Sequence, residues 1–178
     1  MKRADELKIL VMLYWRFRRG CPIVASEYNY GDADVLAVTS GGMRIETEVK
    51  ISLTDLKRDG AKTKHIAMQR ELGLFQDRPS EYPFLRAATR SHYFYFAVPE
   101  KLKEKALGIV AEKYPYAGLL VIKPIDPEVN PRYSPPVYSA KKARLFNSKP
   151  RLTYEQTMDI VRGMSTTLCR LGMELIQK

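Results

Sequence analysis

Residues 43–51 alternate without a break: Met43, Ile45, Thr47, Val49 and Ile51 fall on one side of an extended chain, and Arg44, Glu46, Glu48 and Lys50 on the other. The spacing predicts a strand with one fully charged face. Upstream, residues 3–19 combine good helix formers with arginines in the last turn, and Gly20 stands ready to end a first helix. Between these two, "IVASEYN" and "GDADVLAVT" have strand character and are separated by Gly-containing turns, so a three-stranded meander is expected. "LTDLKRDG" predicts a short helix capped by Ser52 or Thr54, and "AKTKHIAMQRELG" continues as a basic helical or irregular stretch. "RPSEYPFLRAATR" has two prolines and weak periodicity, which predicts a loop. The almost wholly apolar "HYFYFAV" and "AGLLVIK" predict strands covered on both faces, and Tyr93, Phe94, Tyr95 and Phe96 are assigned to the core. Between them Pro99 is expected in the first turn of a helix whose stripe is Leu102, Ala106 and Ile109 or Val110. Pro124, Pro127, Pro131, Pro135 and Pro136 predict a loop or surface strap. The pattern Thr153-x-x-Gln156 then opens a long terminal helix as a capping box.

Patterning also sets the register of the second and third strands. A loop centred on Gly41 pairs Ala37 with Ile45 and Val35 with Thr47, matching like faces, whereas a two-residue turn at Gly41 and Gly42 mixes them. In the first register Asp34 lies opposite Glu48, with Glu46 and Lys50 as same-face neighbours. Like charges so placed are destabilising unless a cation lies between them. The element order is that of an α/β sandwich with a mixed sheet. The 178 residues suit a single domain: a core over about 3–123, a Pro-rich strap and basic segment over 124–151, and a terminal helix over 153–177.

Charge narrows the function classes. The chain has 30 Lys and Arg against 20 Asp and Glu, a formal net charge of +10, which favours a polyanionic partner such as nucleic acid. An anionic membrane surface also suits this charge, but no stretch approaches the roughly 20 apolar residues that span a bilayer. Met158, Ile160, Val161, Met164, Leu168, Leu171 and Leu175 of the terminal helix fit core packing or a dimer interface better, so no membrane partner is expected. Ile9 to Trp15 follows Asp5 and Glu6 and runs into Arg16, Arg18 and Arg19, unlike a signal peptide. Cys21 and Cys169 have no metal-type spacing and make no disulfide framework, so a reducing, cytoplasmic setting is expected.

The segments "GDADVLAV" and "ETEVKIS" resemble the PD-(D/E)xK nuclease superfamily, in which an acid on one strand and an acid-x-Lys triplet on its neighbour form the active site. A closer resemblance, over roughly residues 22–123, is to the MmcB-like DNA repair proteins, through "SEYNYGDADVLAV", "EVKISLTDLKRD", "YFYFAVPEKL" and "AGLLVI" in that order. Residues 77–91 stand out as an insertion, and no firm match follows Pro124. The resemblance implies a restriction-endonuclease-like α/β/α sandwich with an αβββαβ core and a C-terminal helix. It implies a nuclease active in DNA repair, recombination, or phage or mobile-element biology, with DNA as partner and RNA not excluded. A homodimer is one arrangement open to such enzymes.

Phosphodiester hydrolysis needs a cation to neutralise charge on oxygen and activate water, and Mg²⁺ or Mn²⁺ prefers oxygen ligands. The resemblance assigns the metal to Asp34, Glu48 and the Val49 carbonyl, with Glu27 completing the set, and catalysis to Asp34, Glu48 and Lys50. Lys50 would orient water or stabilise the transition state. Asp32, Glu46 and Ser52 are candidates to support these groups, and Glu6 is either a further acid or an ordinary first-turn residue. Taken singly, Asp34 also fits an acid satisfied by backbone amides, and Lys50 a surface pair with Glu48 or Glu46. Lys57, Arg58, Lys62, Lys64, His65 and Arg70 follow the site and are candidates for phosphate contacts, or else a solvated basic helix. Lys141, Lys142, Arg144, Lys149 and Arg151 form a second basic segment with the same two readings. The main rival to the nuclease is a nucleic-acid-binding protein on the same fold without turnover.

Overall fold

A computed structural model describes residues 3–28, 33–73, 91–147 and 149–176. Helix α1 (Arg3–Leu13) runs on through a π-type turn, Tyr14–Arg18, and stops where Gly20 takes a φ of 68°. The expected meander follows as β1 (Ile23–Tyr28), β2 (Ala33–Val38) and β3 (Arg44–Val49). Val35 faces Thr47 and Ala37 faces Ile45, the register that keeps the faces matched. Gly42, with a φ of 75°, closes the hairpin loop and donates its N–H to Thr39 O at 2.9 Å.

Helix α2 (Leu53–Arg58) starts at Ser52, whose hydroxyl accepts the Asp55 N–H at 3.1 Å. A 3₁₀ turn, Asp59–Ala61, leads into α3 (Thr63–Glu71). Residues 74–90, which hold most of the expected insertion and the loop at 78–90, lie outside the described residues. Strand β4 (Tyr93–Pro99) pairs parallel with β3 and with β5 (Gly118–Ile122), and α4 (Lys103–Lys113) makes the crossover between β4 and β5. Pro99, expected in the first helical turn, instead ends β4 with an extended ψ of 146°, and a 3₁₀ turn at Glu100–Leu102 precedes α4.

After the Pro-rich strap the chain adds a strand that the patterning does not predict, β6 (Val137–Lys141), antiparallel to β5. Five residues containing Ser, Ala and Lys give no clear period, and only an exposed sheet edge makes them a strand. Helix α5 (Tyr154–Ile176) opens with the expected reciprocal cap: Thr153 N–H donates to Gln156 Oε1 at 3.1 Å, and Gln156 N–H to Thr153 Oγ1 at 3.2 Å. The result is a mixed α/β fold with a six-stranded sheet in the order β1-β2-β3-β4-β5-β6.

The two faces of the sheet carry separate cores. Leu10 and Val11 of α1 and Tyr14 and Trp15 of the π-type turn pack on Val35, Ala37, Ile45, Val49, Ala97 and Leu120. On the other face Leu56 of α2, Met68 of α3, and Ala106 and Val110 of α4 pack on Phe94, Phe96, Val98, Leu119 and Val121. Helix α5 covers the meander end of this second face, with Ile160 against Leu36 and Val38. Gly118 admits no side chain, because a Cβ would collide with the Tyr95 ring. No helix among the described residues is long and apolar enough to cross a membrane.

Candidate active site

Strand β3 is where the sheet changes from antiparallel to parallel pairing, and its C-terminal end presents the charged residues. Glu46 and Glu48 point to the α2/α3 side, beside Phe94 and Phe96 in the register with β4, and both are buried. Lys50 follows, its backbone N–H bonded to Ala97 O at 2.9 Å and its ammonium reaching back to Glu48 Oε2 at 3.1 Å. Glu48 also receives Lys62 Nζ on Oε2 at 3.3 Å and Lys64 Nζ on Oε1. Three ammonium groups therefore converge on a carboxylate whose side chain is 3% exposed.

The turn between α2 and α3 brings in a residue that the sequence reading passed over. Asp59 is buried, and its Oδ1 accepts from Lys50 Nζ at 2.6 Å and Lys62 Nζ at 2.8 Å. Its Oδ2 meets His65 Nε2 at 2.5 Å, and His65 Nδ1 meets the Tyr116 hydroxyl at 2.6 Å. Both Asp59 and Tyr116 lack a motif signal, since one sits in an ordinary "KRDG" turn and the other beside a buried strand. The one available hint was an acid amid basic residues, next to a helix whose first turn contains no acid.

Electrostatics agree with this arrangement. Burial alone would raise the Glu48 pKa, but the charges of Lys64 and Lys50 and the Lys64 hydrogen bond outweigh it, so the group lies below the ordinary carboxylate value. For Asp59 burial is again opposed, here by hydrogen bonds from His65, Lys50 and Lys62, and its pKa falls far below normal. Burial lowers the His65 pKa despite the neighbouring Asp59. Lys50 is held above its usual value because Glu48 and Asp59 overcome the cost of its burial. Lys62 shifts the same way and further, through Asp59 and Glu48. Tyr116 is pushed up by burial and keeps its proton.

The β2–β3 pairs run from Val38–Arg44 to Val35–Thr47; Asp34, expected opposite Glu48, lies one position past the last of them and has separate partners. Its Oδ2 accepts the Val49 backbone N–H at 2.7 Å, taking the place of a ladder carbonyl, and its Oδ1 pairs with Lys8 of α1 at 3.1 Å. The counter-charge that the sequence argument assigned to a metal is thus supplied by lysine on both acids. The donor set of Asp34, Glu48 and the Val49 carbonyl is all hard oxygen on adjacent strands, which suits Mg²⁺ or Mn²⁺. Among the described residues no group of three His, Cys, Asp or Glu side chains is arranged to hold a metal. Binding a cation to Glu48 requires at least one ammonium to leave, and Lys62, 44% exposed, is the freest to do so. Glu27 has its backbone in β1, but its side chain and all of Asp32 lie outside the described positions.

The expected basic surface divides. Lys57, Arg58 and Lys62 are exposed and Arg70 is half-buried, but Lys64 and His65 are buried on Glu48 and Asp59. The structure corrects both as surface phosphate contacts, because the short turn at 59–61 rolls the start of α3 inward. Ser52 serves as a helix cap. Lys141 donates to Pro115 O at 3.0 Å and to Ala117 O, and Lys149 pairs with Glu71 at 2.7 Å. Of the second basic segment, Lys142, Arg144 and Arg151 remain exposed.

No family model and no curated protein matches the chain. Among solved structures, it is similar to the SPO1766 protein of unknown function from Silicibacter pomeroyi, with a TM-score of 0.55 and 15% identity over 98% of this chain and 92% of that one. What the two share is an overall fold.

Proposed function

We propose that this chain is a metal-dependent nuclease of restriction-endonuclease-like type that hydrolyses DNA phosphodiester bonds. The observation that carries the reading is the Lys50 ammonium 3.1 Å from Glu48 at the end of β3, beside Asp34 of the neighbouring strand, whose Oδ2 accepts the Val49 N–H at 2.7 Å. Asp34, Glu48 and the Val49 carbonyl would hold Mg²⁺ or Mn²⁺, which when bound supplies Lewis acidity and a more acidic water. Lys50 carries a fixed positive charge where charge develops on phosphate oxygens, and a held donor of this kind favours the transition state over the ground state. The exposed Lys57, Arg58 and Lys62 lie next in sequence and supply phosphate contacts that orient the backbone.

One observation favours a second reading. Both Glu48 oxygens are already engaged by ammonium groups, as expected of a catalytically idle, nucleic-acid-binding protein on this fold. Cleavage of labelled single-stranded, duplex and forked DNA in Mg²⁺, Mn²⁺ or EDTA separates the two, with wild type beside Glu48→Gln and Lys50→Ala. The nuclease reading expects metal-dependent cutting that falls by at least about 100-fold in both variants while DNA binding persists. Equal DNA binding by all three proteins with no cutting in any metal gives the binding protein the lead.

A further inference from the structure

The buried chain Tyr116, His65 and Asp59 ends on Lys50, beyond the groups that the proposed chemistry uses directly. A lysine side chain has four rotatable bonds, and ordering it is entropically costly unless more than one partner fixes the ammonium. Glu48 alone is a poor anchor, since the same carboxylate is shared among Lys50, Lys62 and Lys64. Asp59 supplies a second point from a different element, 2.6 Å from Lys50 Nζ.

The Asp59 carboxylate is itself held. An ionised carboxylate only accepts hydrogen bonds, so the 2.5 Å contact with His65 Nε2 requires the proton on that nitrogen. His65 Nδ1 then accepts, and the Tyr116 hydroxyl donates to it at 2.6 Å. Every bond therefore has a defined direction, from Tyr116 through His65 to Asp59. The outer members cannot drift: the His65 ring stacks on Phe96 with centroids 5.6 Å apart and meets Phe94 edge-on at 4.9 Å, and Tyr116 is wholly buried.

From this geometry we infer that Asp59 is a positioning residue, which clamps the Lys50 ammonium beside Glu48 and is itself aimed by His65 and Tyr116. Its role in turnover rests on the nuclease reading, whereas the clamp does not. The core of the second face thereby sets where the reactive charge stands. A simple structural role for the chain predicts something different: lower stability in its variants, with the ammonium and the chemical step unchanged per folded molecule.

The test follows the Lys50 ammonium in ¹⁵N-labelled protein by its proton exchange rate, with the signal assigned by its absence in Lys50→Arg. In the same samples kcat and KM for DNA cleavage are measured in Mg²⁺. Asp59→Asn, which keeps the shape and removes the charge, is expected to speed ammonium exchange at least about tenfold. It is also expected to lower kcat about 100-fold with KM changed by less than about twofold. Tyr116→Phe keeps the buried ring and deletes only the outer hydroxyl, and should move exchange and kcat the same way by about threefold. An unchanged exchange rate in folded Asp59→Asn overturns the inference whatever the cleavage result. If Asp59→Asn does not fold, an unchanged rate in Tyr116→Phe overturns it instead. A wild type that cuts no DNA overturns the nuclease reading and Asp59's part in turnover, while the exchange rates still decide whether the clamp exists.

Discussion

Two neighbouring residues of β3 face opposite ways and show how differently the two sides of one sheet are built. Thr47 turns toward α1, where its hydroxyl accepts the Trp15 Nε1–H at 3.0 Å within an otherwise apolar layer. Glu48, the next residue, turns toward α2 and α3 and is bound by three ammonium groups. The first face gains its stability mainly from area removed from water. On the second, each charge is tolerable only because its partners are present, and removing one leaves the others buried and uncompensated. The dependence runs through α3 as well: Lys64 sits in its first turn, where the helix dipole disfavours a cation, and Glu48 offsets that cost. A local choice that conflicts with helix propensity and is rescued by a long-range partner is the kind of inconsistency expected at functional sites.

Acid should test this contrast most severely. Glu48 and Asp59 have pKa values lowered by folding, so the unfolded chain takes up their protons first, and their stabilisation is lost as pH falls below about 4. His65, also lowered on folding, adds a shallower loss that begins below about pH 6.5. The urea midpoint is therefore expected to decline in two stages, gently and then steeply. A midpoint that stays level from neutrality to about pH 3 would remove the distinction between the faces.

Thr47→Val probes the other face. It strands the Trp15 N–H in an apolar layer and should cost about 1–3 kcal/mol, by an amount independent of pH. A cost that grows in acid would mean that the two faces are coupled through the strand. Lys8→Ala is the mildest test, since its pair with Asp34 is partly solvated on both sides, at 17% and 24% exposed. Urea unfolding should show a change below about 1 kcal/mol, and a larger one would place Asp34 among the tightly held charges.

Much of this architecture is written in local pattern. Alternation along residues 43–51 and the matching of Val35 and Ala37 with Thr47 and Ile45 were enough to set the register of β2 on β3, because a one-residue slip reverses every side chain. The cap at Thr153, the stop at Gly20 and the buried β4 followed from equally short-range rules. Other features depend on encounters between distant segments. The edge position of β6 exists only because β5 offers it a partner, and the burial of Lys64 and His65 depends on how Leu56 and Met68 seat their helices on Phe94 and Phe96. Asp59 acquires its three donors in the same way, from a strand end, a turn and a helix that meet only in the folded chain. Periodicity determines which way a side chain points from its own element. Only packing between elements decides what it meets, and ionic partners separated along the chain leave no period to read.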